Sequence, residues 1–208
     1  MRLKPVIYIL TIIFIALSCS NNNKMTKDEL KLINSGTAEE PFRVLLTTNV
    51  VDSLILRKEC RDIRPVKDNQ DLQLLIERMK VTMESAGGIG IAAPQVGILR
   101  NVFLFVRLDK EGAPVQAAIN PNIIVQSEET FVFEGDGCLS IPETSGNSIR
   151  HAWIEVEYYD ENGNIIKEKL FGGARGEDFT GVIFQHEYDH LQGVLFTDRE
   201  TLPQNSID

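Results

Sequence analysis

The run Gln185-His186-Glu187-Tyr188-Asp189-His190 carries two imidazoles four residues apart, with a carboxylate beside the first. On a helix, positions i and i+4 share a face, one turn apart. Two neutral imidazoles so placed can grip one divalent metal, and Glu187 then stands where a general acid/base moves protons on water at that ion. Val182, Ile183, Phe184 and Leu191 give the segment an apolar background without Gly or Pro among them, as a helix requires. The chain has three histidines and two of them fall in this pattern, which favours a metal motif over two incidental histidines on an ordinary helix.

Two imidazoles do not complete a site. A catalytic centre of the zinc type needs a third protein ligand and an open position. A thiolate is a strong candidate, and of Cys19, Cys60 and Cys138 only Cys138 is flanked by turn-forming glycines, in Gly137-Cys138-Leu139-Ser140. Cys60 lies in the charged stretch Arg57-Lys58-Glu59-Cys60-Arg61-Asp62 and is expected to pack as a small apolar residue. If the protein is exported, a Cys60–Cys138 disulfide is the competing reading, and it would remove Cys138 as a ligand.

These residues need elements to position them. Leu72, Leu75, Ile76, Met79 and Met83 recur at spacings of three and four, which predicts an amphipathic helix over Asp71–Met83, capped by Asp68 or Asn69 and stopped at Gly87-Gly88. Gly88 to Gly97 reads as a glycine-punctuated loop. Asn101–Val106 reads as a strand apolar on both faces, hence central. Short strands are expected over Gln116–Ile119 and Asn122–Gln126, around Pro121. Glu129–Glu134 leads into a loop bearing Cys138, and Glu143 to Ser148 continues as loop. His151–Asp160 alternates, with Ile154, Val156 and Tyr158 on one face, and Ile165–Phe171 returns after the turn Glu161-Asn162-Gly163-Asn164. Glu177–Leu191 is the metal helix. Strands between flanking helices make an α+β pattern, not a βαβ repeat.

The chain ends read differently. Arg2 and Lys4 precede an apolar run from Val6 to Leu17, long enough for a signal segment and short for a membrane span. Ala16-Leu17-Ser18-Cys19 then gives way to a polar run, which looks like a bacterial lipobox with Ala16 in place of the usual large aliphatic residue. The organisation expected is a signal peptide over 1–18, a tether over 19–40 anchored by lipid on Cys19 and holding a short helical piece at Lys27–Ile33, a catalytic domain over 41–198 and a tail over 199–208. The expected location is the cell envelope as an exported, membrane-anchored lipoprotein, or the cytoplasm if the signal is unused. Formal net charge is -9 with a pI near 4.9, which argues against nucleic acid as a partner. A hydrophobic content of 43% suffices for a packed core.

Three segments taken together resemble the signature segments of the bacterial peptide deformylases. They are Gly88-Ile89-Gly90-Ile91-Ala92-Ala93-Pro94-Gln95, Glu134-Gly135-Asp136-Gly137-Cys138-Leu139-Ser140, and Gln185-His186-Glu187-Tyr188-Asp189-His190-Leu191-Gln192-Gly193, in that order. Asp52-Ser53-Leu54-Ile55-Leu56-Arg57 is similar to the family's N-terminal segment, so the resemblance spans roughly Leu45 to Asp198. It implies antiparallel and mixed sheets around a central C-terminal metal-binding helix. It implies that Cys138, His186 and His190 hold the metal, that Glu187 is the acid/base, and that Gln95 and the Leu139 backbone N–H stabilise an oxyanion. The implied ion is ferrous iron, with zinc, nickel or cobalt able to take the same ligands. The implied reaction is hydrolysis of N-formylmethionyl peptides to release formate. The backbone of Gly88, Ile89 and Gly90 would let an extended peptide approach and pair as an added strand. Ile89, Phe133, Phe179 and Ile183 are candidates for the methionine pocket, with plain core packing the equal alternative for each. A monomer is expected.

The chain departs from that pattern in places. Asp136 stands where Glu is common, and its shorter arm is expected to pair with Arg150. Ser145 stands where many relatives have Arg, which puts a contact to the substrate's downstream backbone or carboxylate in doubt. Arg175, in Gly172-Gly173-Ala174-Arg175-Gly176, is a candidate for a replacement charge. Export is the discord: deformylation of nascent chains belongs at the ribosome, and outside the cytoplasm oxidation favours a less redox-active metal. Two other readings stand beside the first. One is a zinc endopeptidase, which the histidine motif alone allows. The other is an exported lipoprotein that kept the scaffold to bind formyl peptides, against which the retained Glu187 speaks.

Overall fold

The computed structural model describes residues 23–200. The expected signal segment, the lipid site Cys19 and all but the first two residues of the expected tail lie outside the described residues. Helices α1 (Lys27–Ile33), α2 (Val50–Leu56) and α3 (Gln70–Ser85) precede strands β1 (Gly90–Ala92), β2 (Val102–Val106), β3 (Val115–Gln126), β4 (Thr130–Cys138), β5 (Ile141–His151), β6 (Trp153–Tyr159) and β7 (Ile165–Phe171), and α4 (Thr180–Leu191) follows. Five strands form an antiparallel sheet in the order β1-β2-β3-β6-β7, and β4 and β5 form a separate two-stranded sheet.

The apolar strand expected around Phe103 is β2, and its two faces feed two cores. Val102 and Leu104 point to α3, packing with Leu72, Leu75, Ile76, Met79 and Met83. Phe103 and Phe105 point the other way and meet Phe184 of α4 edge-on, at ring-centroid distances of 4.8 and 5.3 Å. Such aromatic edges add to burial and fix relative orientation. The sheet is thus layered between α3 and α4. Of the twelve residues of α4 only Tyr188 is not buried, so the histidine motif sits inside the fold. Gly181 permits this closeness: a Cβ there would lie 2.7 Å from the Phe171 carbonyl carbon of β7.

Several boundaries differ from expectation. Helix α3 runs Gln70–Ser85 rather than Asp71–Met83, and of the two expected caps it is Asn69 that caps it, its side chain accepting from Leu72 N. The metal helix starts at Thr180, not Glu177: Phe179 is its N-cap residue and makes no side-chain cap bond, while Asp178 Oδ1 accepts from Thr180 N at 3.0 Å in the turn just before it. The two short strands around Pro121 are one strand, β3, with its register broken between Ile119 and Asn122, where Asn120 adopts φ 49°. Pro121 has no N–H to give a ladder, and the irregularity falls where that donor is missing. The loop expected after Gly88 contains the edge strand β1 and a 3-10 turn at Ala93–Val96. The loop expected around Cys138 and over Glu143–Ser148 is instead the β4–β5 hairpin, with Cys138 at the last position of β4. Polar, glycine-rich composition reads locally as loop, whereas cross-strand pairing decides strand formation here.

The segment expected as tether packs, from Lys24 on, against the body. Ile33 of α1 is fully buried in the α3 core. Glu29 forms a capping box with Thr26 and an ion pair with the fully buried Arg100 at 2.8 Å.

Candidate metal centre

Helix α4 sets the His186 and His190 rings one turn apart, with centroids 5.1 Å from each other. The end of β4 brings Cys138 Sγ to 3.2 Å from His190 Nε2. One donor atom from each of Cys138, His186 and His190 lies within 4.8 Å of the others, the one such cluster of metal-ligating groups among the described residues. One sulfur and two imidazole nitrogens converging in a largely buried spot is a donor set that fits a soft-to-borderline divalent ion. The charge balance agrees with a thiolate: burial alone would raise the Cys138 thiol, but the His190 and His186 rings bring it down to about 5. Cys60 makes no disulfide with Cys138; both are free. Burial pushes the Cys60 thiol up to about 12, and it packs against the α4 core as a small apolar group.

Behind the histidines lies a buried ionic relay. His186 Nδ1 donates to Asp136 Oδ1 at 2.9 Å. Asp136 Oδ2 accepts from Arg150 Nη2 at 2.8 Å and from Ser148 Oγ at 2.6 Å. The expected Asp136–Arg150 contact is present. Arg150 Nη1 reaches Asp189 Oδ2 at 2.7 Å, and Arg199 Nη2 donates to the other Asp189 oxygen at 2.8 Å. Burial opposes ionisation of Asp136, yet the His186 and Arg150 charges hold its carboxyl well below the usual carboxylate range. Burial likewise opposes a charged His186 ring, and Asp136 holds its proton well above the usual range. A carboxylate on Nδ1 orients the ring so that its other nitrogen faces the cluster. Sequence reading missed Ser148 and Asp189. Asp189 lies three residues after His186, a polar residue on a buried face; Ser148 lies on β5, whose polar composition reads as loop.

Glu187 is buried beside this cluster, and its Oε2 has no protein partner. Burial pushes its carboxyl up to about 7, against the pull of His186 and His190. Gly90 makes room for it: a Cβ there would collide with Glu187 Oε1 and stand 2.9 Å from its Cγ. Gln95 is 1% exposed. Its Oε1 accepts from Ala92 N at 2.8 Å, which turns Nε2 toward Ser140 Oγ at 3.2 Å and Cys138 Sγ at 3.5 Å. Leu139 follows Cys138 directly and packs partly buried on the α3 core.

An open cavity of about 650 Å³ reaches this cluster. Gly88, Ile89, Gly90, Phe133, Phe179 and Ile183 all line it, as do Gln95, Cys138, Leu139, His186 and Glu187. Phe133, Phe179 and Ile183 are buried, with the two rings 5.3 Å apart, while Ile89 is 41% exposed at the surface. Core packing and pocket lining are therefore not alternatives for the three buried residues. Val182 was missed as a lining residue, although it stands one turn before His186 on α4.

The family model described as polypeptide deformylase matches residues 46–205. A peptide deformylase of Thermotoga sp. (strain RQ2) is 41% identical over 145 residues, covering 70% of this chain and 80% of its own. Peptide deformylase 1 of Clostridium perfringens (strain 13 / Type A) is 39% identical over 149 residues, covering 72% and 93%. Among solved structures, peptide deformylase from Thermotoga maritima superposes with a TM-score of 0.68 at 35% identity, over 78% of this chain and 99% of that one. The Met-Ala-Ser-bound class I type b peptide deformylase of Acinetobacter baumannii gives 0.67 at 29%, over 77% and 99%.

Proposed function

The chain belongs to the peptide deformylase family, and from that premise we propose that it hydrolyses N-formylmethionyl peptides to formate at a centre held by Cys138, His186 and His190. The observation that carries this assignment of residues is the convergence of those three donors beside a buried, partnerless Glu187 oxygen at the end of an open cavity.

When bound, a divalent ion supplies Lewis acidity, acidifying water and polarising the formyl carbonyl. Glu187 accepts the proton from the attacking water; a carboxyl held near 7 by burial exchanges protons readily at neutral pH. As the water oxygen bonds to the formyl carbon, negative charge grows on the formyl oxygen. Gln95 Nε2 and the Leu139 N–H donate to that oxygen, and one preorganised donor of this kind is worth about 3 kcal/mol in the barrier. Glu187 then passes its proton to the amide nitrogen, the C–N bond breaks, and formate and the free amine separate. Phe133, Phe179 and Ile183 enclose the methionine side chain. The edge strand β1 offers its backbone to the peptide, and Gly88 and Gly90 keep the approach clear.

For the native ion we propose ferrous iron, the ion the family resemblance implies, with zinc or nickel on the same ligands, since one thiolate with two imidazoles suits each of them; outside the cytoplasm oxidation shifts that choice toward zinc or nickel. We further propose an exported monomer tethered by lipid on Cys19. What supports export is the basic start, the apolar run ending at Leu17 and the small residue before Cys19. Among the described residues no helix is long and apolar enough to cross a membrane.

The test is formate release from formyl-Met-Ala-Ser by anaerobically iron-loaded protein, with metal content measured on the same sample. Turnover supports the reading. Cleavage of unblocked peptides without formate would replace it with an endopeptidase, and binding without turnover at full metal content would replace it with a binding module. A mass measurement on the membrane fraction checks the lipid on Cys19.

A further inference from the structure

Arg175 is the one Lys or Arg side chain lining the catalytic cavity among the described residues. It sits in the short connection between β7 and α4, which is built rather than loose. Gly172 N donates to Ala152 O at 2.8 Å, Ala174 N donates to Glu177 Oε2 at 3.1 Å, and Glu177 N returns to Ala174 O at 3.0 Å. The guanidinium itself is anchored twice. Its Nη2 donates to the Gly135 carbonyl, and its carbon lies 5.6 Å from the centroid of the Phe133 ring, in the wall of the expected methionine pocket. Gly135 takes φ 71° in the bulge of β4, which turns its carbonyl out of the ladder. A guanidinium held by one nitrogen and one ring keeps further N–H donors for a ligand, at little loss of side-chain freedom. Apart from His186, which is paired with Asp136, the other charged side chains of the lining are acidic: Asp136 and Glu187 are buried at the ligand end, and Glu143 is exposed.

Distance selects the ligand. Gly135 precedes Cys138 by three residues of β4, at most about 10 Å along a strand. An extended peptide of three residues spans about the same length. A peptide whose formyl group lies at Cys138 and whose chain heads toward Gly135 has the end of its second or third residue within reach of Arg175. In a released peptide that end carries a carboxylate, and in a growing chain it does not. We propose that Arg175 is a specificity-determining residue that binds the free carboxylate of formylated di- and tripeptides, so that this enzyme favours short released peptides over longer chains. The proposal rests on the deformylase reading above and names its substrate class.

The experiment compares kcat/KM for formyl-Met-Ala-Ser with a free carboxylate and with a C-terminal amide, using the metal-loaded full chain, at low and high salt. The native protein should favour the acid by about fivefold, the scale of a well-placed exposed ion pair, chiefly through KM. The ratio should fall toward one as salt rises. In Arg175→Gln the ratio should be about one at all salt concentrations, and Arg175→Lys should restore part of it, because a point charge replaces a fork. Equal turnover of acid and amide by the native protein, or an unchanged ratio in Arg175→Gln, overturns the proposal and leaves the deformylase reading standing. Absence of formate from both peptides overturns that reading, and this one with it.

Discussion

His186 Nδ1 donates to Asp136 Oδ1 at 2.9 Å, and Asp136 reaches Arg150 and Ser148 through its second oxygen. A carboxylate one atom layer behind a ligating imidazole fixes the ring's tautomer and raises its basicity. Asp136→Asn should therefore lower metal affinity by about 10–100-fold while leaving Cys138 and both histidines in place. Chelator competition measures this directly. An unchanged affinity would mean that Asp136 only packs.

Arg150 is 2% exposed and carries both Asp136 and Asp189. Removing its charge takes the shared cation from two buried carboxylates, although His186 and Ser148 still bond Asp136 and Arg199 still holds Asp189. Arg150→Met should destabilise the protein by about 3–5 kcal/mol, the usual consequence of breaking a buried pair from one side. Urea titration at neutral pH checks it; a loss under about 1 kcal/mol would show that the relay contributes little to folding.

Gly90 and Glu187 share one volume. Gly90→Ala should push the Glu187 carboxylate out of position, lowering kcat by about 100-fold, as misplacement near 1 Å does. Glu187→Ala should cost about 10²–10⁴-fold in rate. Both variants should keep full metal content, which separates a displaced base from a lost centre.

Gln95→Glu retains an oxygen for the Ala92 N–H and removes the amide donor aimed at the cluster. The expected loss is about 10²–10³-fold in kcat, with KM little changed. An unaltered kcat would leave the oxyanion role to other donors.

The Glu29–Arg100 pair makes a pH prediction about stability. Burial acts to raise the Glu29 carboxyl, but hydrogen bonds from Arg100 and Thr26 bring it below its unfolded value of 4.5. A depressed folded-state value stabilises fully above the unfolded one and is lost as pH falls through the folded one. Tm followed from pH 6 down to pH 3 should thus drop further for the native protein than for Glu29→Gln. At pH 7 the variant should be the less stable by about 3 kcal/mol. Parallel Tm curves would contradict this linkage.

Much of the site was legible because its chemistry is local. His186, Glu187 and His190 share one helix, so spacing alone places them on one face. The apolar residues of α3 and β2 announce their elements by period, and the double-sided apolar pattern of β2 foretold its two buried faces. Cys138 needed its glycine context, and its neighbours misled: the residues that pair it into β4 lie across a hairpin whose polar strand reads as loop. Pairing partners are not written in a single strand's composition.

What sequence alone determined is the inventory: two imidazoles on a helix, a carboxylate beside them, one thiol among glycines, and an amphipathic helix with a central strand to hold them. Only the tertiary structure decided which groups face one another. It set Asp136 behind His186, Gly90 under Glu187, Arg100 against Glu29 and Arg175 on Phe133. Each of these pairs joins residues far apart in the chain. Periodicity reports which face of an element is apolar, whereas the contact across that face depends on how separate elements stack, and the energy deciding it comes from burial and pairing summed over the whole fold.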